Sequence, residues 1–176
     1  MTDVDFYTLF SGLHEGDERR FLQMERFYLT HKVTILGSLP WLAAELAEND
    51  GFWVMTQFVK HYGGGRLYIN KSHAIFLEKI KVPVSEKTHK QLISQANISG
   101  SLDIPSAWGI FITLRKIAIQ QAITECIPAR KVANCFGVTE RYLRYLNRKN
   151  KKYDAHRKQS AIGKTASYAP QPENET

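Results

Sequence analysis

The sequence has few cysteines, no long apolar run and no catalytic motif, and each absence removes a class of protein. Its two cysteines, Cys126 and Cys135, are too few for a disulfide-stapled scaffold. Apolar stretches extend for only a few residues, whereas a membrane-spanning helix needs about 20. No activated nucleophile, paired carboxylates or His-Glu-x-x-His motif is present, so we expect neither an enzyme nor a bound metal or cofactor.

What is present is typical of a globular protein. The 176 residues are 43% hydrophobic and 23% charged. The first ten residues, MTDVDFYTLF, are acidic and do not have the basic-then-apolar order of a secretory signal. We therefore expect a cytoplasmic protein with reduced cysteines, both of them buried as small apolar side chains.

The net charge of +7 is concentrated near the C-terminus. Residues 126–165 contain eleven lysines and arginines and two acids, a local charge of +9, and the remaining residues contain thirteen bases and fifteen acids. Such a block is often a solvated tail without a partner, but it also suits a polyanionic partner such as DNA. The residues inside the block decide between these interpretations.

Hydrophobic spacing predicts a mostly α fold. Helices are expected within 17–36, from a Ser38 cap with Pro40 in the first turn to the turn at 49–51, over 52–62, near 86–95 and over 107–125. Residues 99–106, SGSLDIPS, have the composition of a linker, and 155–176 that of a disordered segment. The predicted organisation is a helical dimerisation region at 1–104, a helix-turn-helix domain at 105–150 and a basic tail at 151–176.

One short strand is predicted at 66–70, directly after Gly63-Gly64-Gly65. A single strand leaves its backbone N–H and C=O groups unpaired, so it must pair with another segment of this chain or with the same strand of a second copy. The glycines themselves are equally compatible with an ordinary turn that ends a helix. We do not expect a P-loop, because no Lys-Ser or Lys-Thr follows at the required spacing.

Residues 129–148, ARKVANCFGVTERYLRYLNR, predict a helix-turn-helix. Ala133 is small where two helices must touch, and four residues later Gly137 tolerates the left-handed backbone of the turn. Thr139 is placed to cap the second helix, and Pro128 suits the entry to the first. The residues expected to pack the motif are Val132, Ala133, Phe136, Gly137, Val138, Leu143 and Leu146. A helical hairpin that only packs in a core is the alternative, but it gives no reason for a basic face.

That face is predicted to bind DNA. In this motif the second helix enters the major groove, where arginine pairs with guanine and glutamate accepts from cytosine. The expected base contacts are Arg141 and Arg144, with Thr139, Glu140 and Tyr145 beside them. The expected phosphate contacts are Arg130, Lys131, Arg148, Lys149, Lys151 and Lys152.

Residues 46–71, LAENDGFWVMTQFVKHYGGGRLYINK, resemble the signature of the Mor transcription-activator family of bacteriophage Mu and related mobile elements. The residues that carry the resemblance are Val59, Tyr62, Gly63, Gly64, Leu67, Tyr68, Ile69 and Lys71. Asn70 stands where the family has proline, and the stretch before the helix-turn-helix is longer than usual. The resemblance covers a little over half of the chain.

The resemblance implies a homodimer whose N-terminal halves form the dimer core, with strands paired between the copies. Two helix-turn-helix units would then bind an inverted repeat and activate transcription by contacting RNA polymerase. The residues it implies for dimerisation are Gly63, Gly64, Leu67, Tyr68 and Ile69. The sequence also leaves open a repressor or accessory DNA-binding protein of a mobile element, and a protein–protein adaptor or inhibitor.

Overall fold

Helices dominate residues 18–148, the part of the chain that the computed structural model describes. The chain divides into two units between Ile119 and Gln120, so the described parts are 18–119 and 120–148. The sequence pattern predicts a boundary between 104 and 105 instead. The predicted tail at 151–176, with its predicted disorder at 155–176, lies outside the described residues.

The described elements confirm the mostly α prediction and add a second strand and helices that the sequence did not predict. In chain order they are α1 Glu18–Thr30, α2 Lys32–Leu36, α3 Trp41–Asn49, α4 Phe52–Tyr62, β1 Arg66–Tyr68, α5 His73–Ile80, α6 Glu86–Gln95, β2 Ser101–Asp103, α7 Ala107–Thr124, α8 Ala129–Phe136 and α9, residues 140–148. None of these helices is both long enough and apolar enough to cross a membrane.

Local backbone chemistry sets the ends of α3 and α4. Gly51 precedes α4 with a φ of 99°, a conformation that side-chain-bearing residues rarely adopt. The prediction that Ser38 caps α3 is wrong, because Pro40 is the capping residue of that helix. The Ser38 hydroxyl instead donates to the Thr34 carbonyl at 2.8 Å, within the preceding turn.

β1 finds its partner within the same chain. It pairs antiparallel with β2, with Leu67 opposite Leu102, and the Ile69 amide continues the contact by donating to the Gly100 carbonyl at 2.8 Å. The expectation of a linker at 99–106 is therefore wrong, since β2 lies inside it. Because β1 pairs within the chain, its backbone groups no longer require a second copy. Dimerisation through β1 stays a prediction.

An exposed ion pair joins the first residue of β1 to the last residue of β2. Arg66 Nε donates to Asp103 Oδ1 at 2.8 Å across the strand pair. This hydrogen bond and charge hold the pKa of Asp103 below its usual range and raise the pKa of Arg66. Both side chains are solvated, so the pair fixes strand register more than it stabilises the fold.

The first unit packs around large apolar side chains from α2 to α6. Phe58, Phe76 and Leu46 are fully buried, and the Tyr28 hydroxyl donates to the Ala47 carbonyl at 3.0 Å, where burial raises the pKa of that phenol. Buried His89 lies 2.8 Å from the Asn70 carbonyl through Nε2. All three tryptophans lie in this unit and remain well exposed: Trp41, Trp53 and Trp108.

Gly63 is required by close backbone packing at the end of α4. A Cβ atom there would collide with the Val59 carbonyl and lie 2.9 Å from the Pro105 carbonyl, and neither backbone group can rotate away. Gly65 has room, since its nearest neighbour, the Tyr62 carbonyl, would lie 3.7 Å away.

We therefore expect Gly63→Ala to lower the free energy of unfolding by about 1–3 kcal/mol, the usual cost of overpacking. Gly65→Ala is the matched control and should change it by less than about 1 kcal/mol. Urea denaturation followed by circular dichroism measures both. Equal stability of the two variants would contradict the packing that the structure shows around Gly63.

Candidate nucleic-acid interface

α8 is the first helix of the predicted motif, and it buries one side. Val132, Ala133 and Phe136 are buried, as the spacing predicts. The chain reaches α8 through a turn in which Cys126 has a φ of 57° and the Ile127 amide donates to the Ala122 carbonyl at 3.1 Å. This side of α8 is therefore its packing side.

The turn after α8 has the predicted left-handed residue. Gly137 has φ 59° and ψ 38°, and its amide donates to the Ala133 carbonyl. The Val138 amide also donates to Ala133, at 3.0 Å, which is the hydrogen bond of a Schellman helix end. Val138 itself is half-buried. The backbone thus reverses over two residues and starts a second helix at once.

Thr139 caps that second helix, as predicted. Its hydroxyl accepts a hydrogen bond from the Tyr142 amide at 3.2 Å, and its carbonyl accepts from the Leu143 amide at 3.2 Å. The side chain thereby satisfies an N–H group that the first helical turn leaves unpaired.

Replacing Thr139 by alanine should destabilise the second unit by about 0.5–2 kcal/mol, the usual cost of losing a capping oxygen. Thr139→Ser keeps the oxygen and is the matched control. Hydrogen exchange of the amides in α9 measures the change. If Thr139→Ala and Thr139→Ser exchange at the same rate, the hydroxyl is not a cap.

α9 separates an apolar side from a basic side. Leu143 and Leu146 are buried, and they project to the side of the helix opposite Arg141 and Arg148. The outward residues recur at i, i+3, i+4 and i+7, and we call them the basic face: Arg141, Arg144, Tyr145 and Arg148. They line a concavity of about 470 Å³.

The guanidinium groups of the basic face are available to a ligand. Arg141, Arg144 and Arg148 form no ion pair with any residue in the 18–148 range. Arg144 Nε lies 3.5 Å from the Glu140 carbonyl, which is too long for a strong hydrogen bond. Three adjacent cations are therefore exposed, and no acid among the described residues neutralises them.

Other predicted contacts lie around this face. Thr139 and Glu140 are exposed, but Glu140 is rotated about 100° from Arg141 around the helix and lies at its flank. Tyr142, which is not among the predicted contacts, is 40% exposed on the opposite flank. Helical spacing indicates this exposure, because Tyr142 directly precedes the packing residue Leu143 and so lies about 100° away from it around the helix.

The predicted phosphate contacts are only partly described. Arg130 and Lys131 are exposed at the start of α8, and Arg148 belongs to the basic face. The other three, Lys149, Lys151 and Lys152, lie outside the described residues.

The prediction that both cysteines are buried is wrong. Cys126 and Cys135 are exposed free thiols. Cys135 lies between the buried positions 132 and 136 in sequence, but helical geometry rotates it away from the side that Val132, Ala133 and Phe136 share. The motif therefore packs without either sulfur.

The described residues contain no cluster of three or more His, Cys, Asp or Glu side chains that could hold a metal ion. Comparisons with protein-family models, curated proteins and solved structures found no match for this chain. The resemblance to the Mor family therefore depends on the residues of the chain alone.

Proposed function

We propose that this chain is a sequence-specific DNA-binding transcription regulator that inserts α9 into the major groove. The observation that carries the proposal is the division of α9 into a buried apolar side and the basic face, preceded by a capped, left-handed turn. A helix that served only to pack would have no use for three arginines on its outer side that form no ion pair with the described residues.

The chemistry of the basic face suits DNA in two ways. Arginine can donate two hydrogen bonds to guanine O6 and N7, and the early residues of the recognition helix lie nearest the base edges, so Arg141 and Arg144 read the sequence. Arg148, one turn further along, contacts phosphate, as do Arg130 and Lys131 on α8.

We further propose that the protein acts as a homodimer on an inverted repeat. Two copies related by a two-fold axis present two recognition helices to successive turns of the major groove, which doubles the contacted sequence. Activation through RNA polymerase is the form of regulation that the Mor resemblance implies.

Selection of genomic fragments by the purified full-length protein tests the proposal. We expect enrichment of a short inverted repeat at physiological salt, with retention that falls steeply as salt rises. Retention of all fragments alike would leave a non-specific DNA-binding protein, and retention of none would favour the protein–protein adaptor.

Transcription from a promoter that contains the selected site then tests the direction of regulation. In a purified system, added protein should increase transcript from that promoter and leave a promoter without the site unchanged. A decrease would make the protein a repressor and would contradict the implied contact with RNA polymerase.

A further inference from the structure

α1 has apolar side chains on both of its sides. Its inner side buries Met24, Phe27 and Tyr28 in the first unit. Its opposite side exposes Leu22 at 48% and Leu29 at 62%. The two leucines are seven residues apart, or two helical turns, so they lie in one line along the solvent side of the helix.

The charges between these leucines have no ion-pair partner among the residues that the structure describes. Glu25 and Arg26 lie midway between Leu22 and Leu29, and neither forms an ion pair with any residue from 18 to 148. We call the four residues Leu22, Glu25, Arg26 and Leu29 the α1 outer face. Leu22, Arg26 and Leu29 are exposed to solvent, and Glu25 is half-buried.

The order of residues in this face is self-complementary. Its centre lies between positions 25 and 26, so in an antiparallel pair of α1 helices each residue meets the one equally far on the other side of the centre. Leu22 then meets Leu29 of the second copy, and Glu25 meets Arg26 of the second copy. A two-fold axis makes each of these contacts twice, which is the property of an isologous dimer interface.

We propose that the α1 outer face is a dimerisation surface that binds the same face of a second copy, antiparallel, about a two-fold axis. The leucines supply buried apolar area, and the two crossed Glu25–Arg26 pairs fix register and orientation. The interface does not depend on DNA binding. It also lies outside residues 46–71. It takes the dimerising role that the resemblance implies for β1, whose backbone already forms hydrogen bonds with β2.

Charge exchange provides the sharpest test. In Glu25→Arg each copy has two adjacent arginines, and in Arg26→Glu it has two adjacent glutamates, so either variant alone brings like charges together. We expect the dimer dissociation constant of each, measured by sedimentation equilibrium at low salt, to rise on the order of tenfold. Mixing the two variants should restore association as a heterodimer, and the double variant Glu25→Arg/Arg26→Glu should restore the homodimer.

A second test addresses the apolar contact. Leu22→Asp should shift the full-length protein to monomer, and Ile98→Asp should not, because Ile98, fully exposed in the loop between α6 and β2, is not part of the α1 outer face. Circular dichroism should be unchanged in both variants, since each replaced side chain faces solvent. A change of fold in Leu22→Asp leaves the charge variants as the deciding measurement.

Two results would overturn the proposal. One is a wild-type protein that is monomeric at every accessible concentration. The other is a dimer whose association is the same in all variants, which would place the interface elsewhere. DNA retention is measured separately on the same samples, so loss of this interface and loss of the proposed function are distinguishable.

Discussion

Replacing Arg141 and Arg144 together by alanine should lower affinity for the selected DNA site far more than affinity for random DNA. Each bidentate contact of arginine with guanine contributes about 1–3 kcal/mol of discrimination, so the double variant should lose about 2–6 kcal/mol on the specific site. The effect on random DNA should be limited to the loss of two positive charges.

The matched control removes two charges from α8 instead. Arg130→Ala/Lys131→Ala eliminates predicted phosphate contacts, so binding to specific and random DNA should weaken by a similar factor. Gel retardation with both probes over a range of salt concentrations measures the two variants. If the arginine pair on α9 behaves like the pair on α8, the basic face contacts phosphates and sequence is read elsewhere.

Phe136→Ala should unfold the second unit. The side chain is 3% exposed on the inner side of α8, and replacing a buried phenylalanine by alanine typically costs about 3–5 kcal/mol. A unit of this size has little stability to lose, so the amides of α8 and α9 should lose their protection from hydrogen exchange. DNA binding should disappear with them, whereas the amides of α4 in the first unit should stay protected.

Cys135→Ala is the control for this variant, because it is the preceding residue on the same helix. Its side chain is exposed, and alanine is the better helix former, so protection of α8 and α9 should be unchanged or slightly increased. Loss of protection in both variants would mean that α8 is sensitive to any substitution, and that Phe136 has no special place in the packing.

Much of the site could be predicted from sequence because its determinants are local. Gly137 adopts the left-handed turn and Thr139 caps the next helix, and each acts within about four residues of its own position. The buried positions of α8 follow from helical periodicity, as Val132 and Phe136 illustrate. Such features need no knowledge of the rest of the fold.

The features that were missed depend on distant partners or on too few residues. β2 contains only three residues, including Ser101 and Asp103, and has no strand pattern of its own. β2 forms a strand because it pairs with β1, which lies more than thirty residues earlier in the chain. α5 has two buried residues, Phe76 and Ile80, which is too few to establish a period.

The tryptophans and cysteines divide between the two units, which makes the units separately observable by optical methods. All tryptophans lie before Ile119, and both thiols lie after it and are exposed, so a maleimide dye on these thiols would label the second unit without disturbing its packing. Indole emission would then report the first unit and the dye the second. In one titration with urea, separate midpoints would identify two independently folding units, and a shared midpoint would show that they unfold cooperatively.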